Sequence, residues 1–122
     1  HHWLPAQALE EIAAFLDLAP AQVLDTASFY EEYWLNPKGK YLIMVCQSLS
    51  CELMGQKGLL GKISRKLGIA PGQTPPDGKY TLMPAECLGS CGTAPVMMVN
   101  DAYHENLTLA ELDRLIEELR QP

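Results

Sequence analysis

Four cysteines, and only four, stand in two close pairs. "VCQSLSCELMG" holds Cys46 and Cys51, and "AECLGSCGTAPVMMVN" holds Cys87 and Cys91. The spacing is Cys-x4-Cys, thirty-five residues, then Cys-x3-Cys. Each pair follows a run with strand character, "YLIMVC" at 41–46 and "YTLMPAEC" at 80–87. If those strands are neighbours, both loops open at one end of a sheet and four thiols converge. Two disulfides, a zinc ion, a redox dithiol and an iron–sulfur cluster are the candidate uses of such a convergence.

Size and charge narrow the field. A chain of 122 residues that is 48% apolar builds one compact core without covalent staples, which weakens the disulfide reading. A formal net charge of −6 argues against nucleic acid or an anionic membrane as partner. No run approaches the roughly 20 apolar residues of a membrane span. The start, "HHWLPAQALEE", lacks a basic and then apolar leader pattern. His1 and His2 are read as a solvated terminal pair and not as metal ligands.

The local patterns predict helices first and a sheet later. Residues 5–17 read as a helix, with Pro5 in the first turn and Leu9, Ile12, Ala13 and Leu16 at helical spacing. "LAP" at 18–20 breaks it, and Pro20 opens a second helix with Val23, Ala27, Tyr30 and Trp34 on one face. Phe29, Tyr30, Tyr33 and Trp34 are expected to pack in the core, with a partner contact as the competing role. "NPKGK" at 36–40 is a loop. Residues 1–38 therefore form a helical subdomain, and 39–122 a second unit. In that unit 41–46 is a buried strand, 52–67 an amphipathic helix and 70–79 a Pro/Gly loop. Leu53, Leu59, Leu60, Ile63 and Leu67 take one side of the helix; Lys57, Lys62, Arg65 and Lys66 take the other. That basic side is either a solvated face or a docking surface for an acidic partner. Residues 80–87 form a strand whose Pro84 points to an edge or a bulge. "VMMV" at 96–99 is a further strand, and "NDAY" at 100–103 a turn. The last helix starts with a Thr108–Glu111 capping box and carries Leu109, Leu112, Ile116 and Leu119 as its stripe. Helices followed by β-α-β-β-α indicate an α/β fold with a thioredoxin-like layer.

The cysteine spacing separates the chemistries in part. A thioredoxin-type dithiol uses Cys-x-x-Cys, which neither pair has. Zinc knuckles use spacings of two to four residues, so Cys-x4-Cys lies at the limit. A [2Fe–2S] core places two thiolates on each iron and suits wider spacings, and plant-type clusters also begin with Cys-x4-Cys. Spacing favours the cluster and leaves zinc open. Gly89 and Gly92 let N–H groups approach sulfur, and the Ser48 and Ser50 hydroxyls are candidate donors in the first loop. Pro95 stiffens the turn before "VMMV".

"ECLGSCGTAPVMMVND" closely resembles the second cluster motif of the small iron–sulfur subunit of respiratory NADH:quinone oxidoreductase, complex I, a translocase. "VCQSLSCELMG" resembles its first motif, and "DTASFYEEYW" the helical stretch before its ferredoxin domain. The resemblance implies an N-terminal helical subdomain and a thioredoxin-like [2Fe–2S] ferredoxin domain. It also implies one cluster, with Cys46 and Cys51 on one iron and Cys87 and Cys91 on the other. It places FMN and NADH on a partner flavoprotein subunit, with no substrate site here, and the cluster near the flavin but off the main path to quinone. It implies a peripheral arm on the cytoplasmic side of the membrane, or the matrix side in a mitochondrion, without direct membrane insertion. The equivalent subunit of an NAD-linked hydrogenase or formate dehydrogenase, and a free thioredoxin-like ferredoxin, are the alternatives. Many members carry threonines between the first two cysteines and a histidine after the second; Ser48, Ser50 and Glu52 stand there in this chain.

An acidic chain around an anionic cluster implies a low reduction potential, near the roughly −400 mV of plant-type centres. The N-terminus of a helix beginning after Cys51 is expected to oppose this, with Glu52 repelling the cluster. His104, the one internal histidine, is expected on the surface near a turn.

Overall fold

The computed structural model describes residues 3–121. His1 and His2, read above as a solvated pair, lie outside the described residues. The chain divides into two compact units, His1–Lys38 and Gly39–Pro122.

The first unit is a pair of helices, α1 (Ala6–Leu16) and α2 (Pro20–Phe29). Asp17 ends α1 in the left-handed conformation at φ 55°, and its N–H returns to the Ala13 and Ala14 carbonyls. Pro20 takes the first turn of α2, where the Ala19 N–H donates to Gln22 Oε1 at 3.0 Å. Leu9 and Ala13 meet Val23 and Ala27, with Leu4 and Leu35 alongside. The expected stripes were wider than this. Ile12 and Leu16 are exposed, and α2 stops at Phe29, so Tyr30 and Trp34 never join its face. Phe29, Tyr30 and Tyr33 are exposed and stack edge to face on one another, which corrects the core placement. Two short helices bury one narrow contact against each other, and Ala13 and Ala27 narrow it further.

The second unit holds a four-stranded sheet in the order β2-β1-β3-β4. Its central strand β1 (Tyr41–Cys46) is the apolar run, paired in parallel with β2 (Tyr80–Ala85) from Tyr41↔Tyr80 to Cys46↔Ala85. On the other side β3 (Met97–Val99) runs antiparallel, pairing Ile43 with Val99 and Val45 with Met97. The expected turn at 100–103 is shorter than predicted. Asn100, at φ 52°, and Asp101 make it, and Ala102–His104 form a fourth strand, β4. His104 pairs with Met97 and is half-buried.

The predicted helix over 52–67 is two helices. α3 (Leu49–Leu53) ends before Gly55, which sits at φ 95°, and α4 (Gln56–Leu67) follows. The break puts Leu53 out of the stripe and 77% exposed. Leu59 and Ile63 of α4 and Leu112, Ile116 and Leu119 of α5 (Leu109–Arg120) pack with Ile43, Val45, Leu82 and Met97. α5 opens with the predicted capping box: Glu111 N–H donates to Thr108 Oγ1 at 3.2 Å, and Thr108 N–H to Glu111 Oε2 at 2.9 Å. On the basic side of α4, Lys62 and Lys66 are half-buried and pair with acidic residues of α5. Asp113 of α5 takes Lys62 at 2.5 Å and Lys66 at 2.7 Å, with Glu117 at 3.6 Å from Lys66.

β2 is an edge strand, as Pro84 predicted. Leu82 faces away from β1 and bonds the 70–79 loop, its N–H donating to the Gln73 carbonyl and its carbonyl accepting from Gly72 N–H. Pro84, two residues on, faces the same way, so its missing N–H costs the sheet no bond.

Candidate metal centre

Because β1 and β2 are parallel and end level with each other, the chain leaves both at the same end of the sheet. β1 ends on Cys46, whose N–H donates to the Val96 carbonyl, and α3 follows with Cys51 as its third residue. Past β2 comes Cys87, then Gly89 in the left-handed region at φ 75°, then a 3₁₀ turn over Cys91–Thr93. The Ala94–Pro95 bond is cis, and β3 follows.

This geometry brings all four thiols into one neighbourhood. The Cys46 thiol neighbours both Cys51 and Cys87, and Cys91 acts electrostatically on Cys51. Cys46 and Cys51 are 3% and 1% exposed, packed with Ala85, Leu88, Ala94 and Val96, whereas Cys87 and Cys91 are exposed. All four are free thiols.

Backbone N–H groups converge on three of the sulfurs. The Ser48 and Leu88 N–H groups lie near Cys46 and that of Val96 near Cys51, and Gly89 N–H donates to Cys87 at 3.3 Å. Leu88 thus places the second loop beside the first. Burial pushes the Cys46 thiol up, but the Ser48 and Leu88 N–H groups and the neighbouring thiols outweigh it and hold it below the ordinary range. For Cys51, burial and the negative charge of Cys46 prevail over the Val96 N–H and push it up.

Soft thiolates with N–H donors aimed at them are a donor set for iron–sulfur or zinc. Among the described residues no three or more His, Cys, Asp or Glu groups are placed to hold one metal ion. Tetrahedral zinc needs its ligands around a single point. A two-iron core needs only a pair at each iron, and each of the two loops carries two cysteines.

Two sequence expectations change. The helix at the first loop begins at Leu49, before Cys51, and the longer α4 begins at Gln56; no helix starts at Glu52. Glu52 is paired with Lys57, so its charge is partly offset. The donor from the first loop is the Ser48 backbone, in place of the expected hydroxyls. The Leu88 and Val96 donors went unpredicted, because a backbone N–H carries no residue signature.

The thioredoxin-like [2Fe–2S] ferredoxin family matches this chain over residues 1–120. The chain belongs to that family. Similar members include subunit 2 of the NADH-quinone oxidoreductase of Thermus thermophilus, 44% identical over 97% of this chain. An E-type subunit of the same enzyme from Rhizobium meliloti is 43% identical over 98%, and the E-type subunit from Escherichia coli 36% over 94%. The chain spans 66% of the Thermus protein's length, 71% of the Rhizobium protein's and 69% of the Escherichia coli protein's. Among solved structures, the air-oxidized NAD+-reducing [NiFe]-hydrogenase matches 94% of this ferredoxin-family chain at TM-score 0.80 and 29% identity, over 20% of its own chain. A thioredoxin-like [2Fe–2S] ferredoxin of Aquifex aeolicus matches 66% of it, and 84% of its own chain, at TM-score 0.53 and 17% identity, a likeness of fold.

Proposed function

We propose that this chain is the [2Fe–2S] electron-transfer subunit of an NADH:quinone oxidoreductase, with Cys46 and Cys51 on one iron and Cys87 and Cys91 on the other. The observation that carries it is the gathering of four free thiols at the ends of β1 and β2, under backbone N–H groups, in a member of this family. When bound, such a cluster takes up and gives back a single electron. The protein's own part is to shape and insulate the site. Apolar neighbours shield Cys46 and Cys51 from water, and the N–H dipoles of Ser48, Leu88, Val96 and Gly89 stabilise negative sulfur. Residues 1–38 act as a helical subdomain and 39–122 as the cluster domain.

The partner is a flavoprotein subunit that holds FMN and NADH, and catalysis at NADH belongs to it. Among the described residues no helix is long and apolar enough to cross a membrane. That suits a place in a peripheral arm on the cytoplasmic side of the membrane, or the matrix side in a mitochondrion. The hydrogenase likeness favours one second reading, the equivalent subunit of an NAD-linked hydrogenase.

Anaerobic loading with iron and sulfide tests the site. The expected product is brown, with two irons and two sulfides per chain and an EPR signal only after reduction. A colourless protein that takes one zinc and no sulfide overturns it. Co-purification then separates the parents by whether the complex reduces quinone or oxidises hydrogen.

A further inference from the structure

The second cysteine loop is exposed and has only a 3₁₀ turn of its own, yet the segment from Tyr103 to Leu107 ties it down at four places. Tyr103 Oη donates to the Leu88 carbonyl at 2.8 Å. Ser90 Oγ and Thr93 Oγ1, the residues that bracket Cys91 and Gly92, both donate to Glu105 Oε1, at 2.6 and 2.7 Å. Asn106 N–H donates to the Thr93 carbonyl at 2.7 Å, and Leu107 N–H to the Pro95 carbonyl at 3.1 Å.

Glu105 is the focus of this strap. The Ser90 and Thr93 hydroxyls also lie 2.7 Å from each other, so two protons serve a triangle of three oxygens. The carboxylate, which has no proton to give, is the acceptor on which the triangle closes. The same hydroxyls hold the Glu105 carboxyl below the ordinary range, so it stands charged at neutral pH. Its link spans twelve and fifteen residues, and no other side chain joins both sides of the Cys91 turn to the rest of the sheet among the described residues.

We propose that Glu105 is a positioning residue for the second thiolate pair: its carboxylate braces the Cys91 turn through Ser90 and Thr93, and its fixed negative charge beside that turn holds down the reduction potential. The potential half of this rests on the cluster reading above; the brace does not.

Glu105→Gln keeps an oxygen acceptor and removes the charge, whereas Glu105→Ala removes both. Glu118→Gln, on the exposed side of α5, controls for net charge. In the loaded full chain, Glu105→Gln is expected to raise the midpoint potential, giving about threefold more reduced protein at a fixed potential. Its EPR line shape and cluster-release rate stay those of the wild type. Glu105→Ala is expected to release the cluster several-fold faster. In the chain without metal, amide hydrogen exchange at Thr93 and Asn106 is expected to speed up several-fold in the alanine variant and little in the glutamine variant. A Glu105→Gln potential no different from that of Glu118→Gln overturns the electrostatic role. Wild-type exchange at Thr93 and Asn106 in Glu105→Ala overturns the brace. A wild-type chain that takes up no iron and sulfide instead overturns the cluster reading and the electrostatic role with it, and exchange alone then decides the brace.

Discussion

The two cysteine loops leave neighbouring strands at the same end of one sheet, yet they are held by different forces. The first is an extension of the core. Cys46 closes the central strand, Cys51 sits inside α3, and both thiols are buried among Ala85, Leu88, Ala94 and Val96. The second is held by hydrogen bonds at the surface. Its cysteines are exposed, and its shape depends on Gly89, the Cys91–Thr93 turn and the strap from Tyr103 to Leu107. Apolar burial is non-directional and survives small displacements. Hydrogen bonds specify geometry but contribute only about 1 kcal/mol each. The first loop should therefore keep its shape without a metal, and the second should be the more easily opened.

Cysteine-to-serine variants break that comparison most directly. Any of the four should abolish a stable cluster, read by absorbance and iron content. The metal-free stabilities should differ. Cys51→Ser buries a hydroxyl among apolar groups and should cost about 1–3 kcal/mol in urea unfolding, whereas Cys91→Ser should stay within about 0.5 kcal/mol. Equal losses for the two would erase the distinction. Gly89→Ala comes next. A side chain at φ 75° costs about 1–2 kcal/mol, and the strain should appear as faster exchange in 87–93 with α3 unchanged. A smaller effect is expected from Tyr103→Phe, which removes the phenol from the Leu88 carbonyl. About 0.5–1.5 kcal/mol should be lost. Because the Leu88 N–H lies near Cys46, a shift in its amide resonance would show the strap reaching the first loop.

The smallest effect lies outside both loops and serves as their control. Lys62 and then Lys66 hold the Asp113 carboxyl below the ordinary carboxylate range. A carboxyl lowered in the folded state binds its proton more weakly there than in the unfolded chain. Its stabilisation is present above the unfolded value of about 4 and is lost as pH falls through the lower folded one. Thermal unfolding of the wild type should weaken over that interval, and Asp113→Asn should flatten the response. Exchange in the two cysteine loops should not follow it.

The elements legible in the sequence are those set by local chemistry. β1 is an unbroken apolar run, α5 carries its capping box, and Pro84 announced an edge. The gathering of the cysteines followed once β1 and β2 were neighbours. What local pattern hid was long-range. Gly55 broke a helix whose apolar spacing runs through the break. Three residues, Ala102–His104, became a strand because Met97–Val99 lay beside them. Lys62 and Lys66 looked like a solvated face because Asp113 and Glu117 are some fifty residues away. Glu105 left no signal near the cysteine motif, since its partners are chosen by the fold. The alternation of apolar residues in the first helices overstated their buried faces, because two helices alone have too little surface to cover them.

The outer edge of β2 has a consequence for behaviour in concentrated solution. An open strand is a template on which another chain can add, and such addition begins aggregation. Here the backbone groups of Leu82 are already taken by the 70–79 loop, and Pro84 has no hydrogen to offer a newcomer. The sheet thus stops growing on the side where the second cysteine loop departs, and a cysteine-rich surface is kept from being drawn into a fibre.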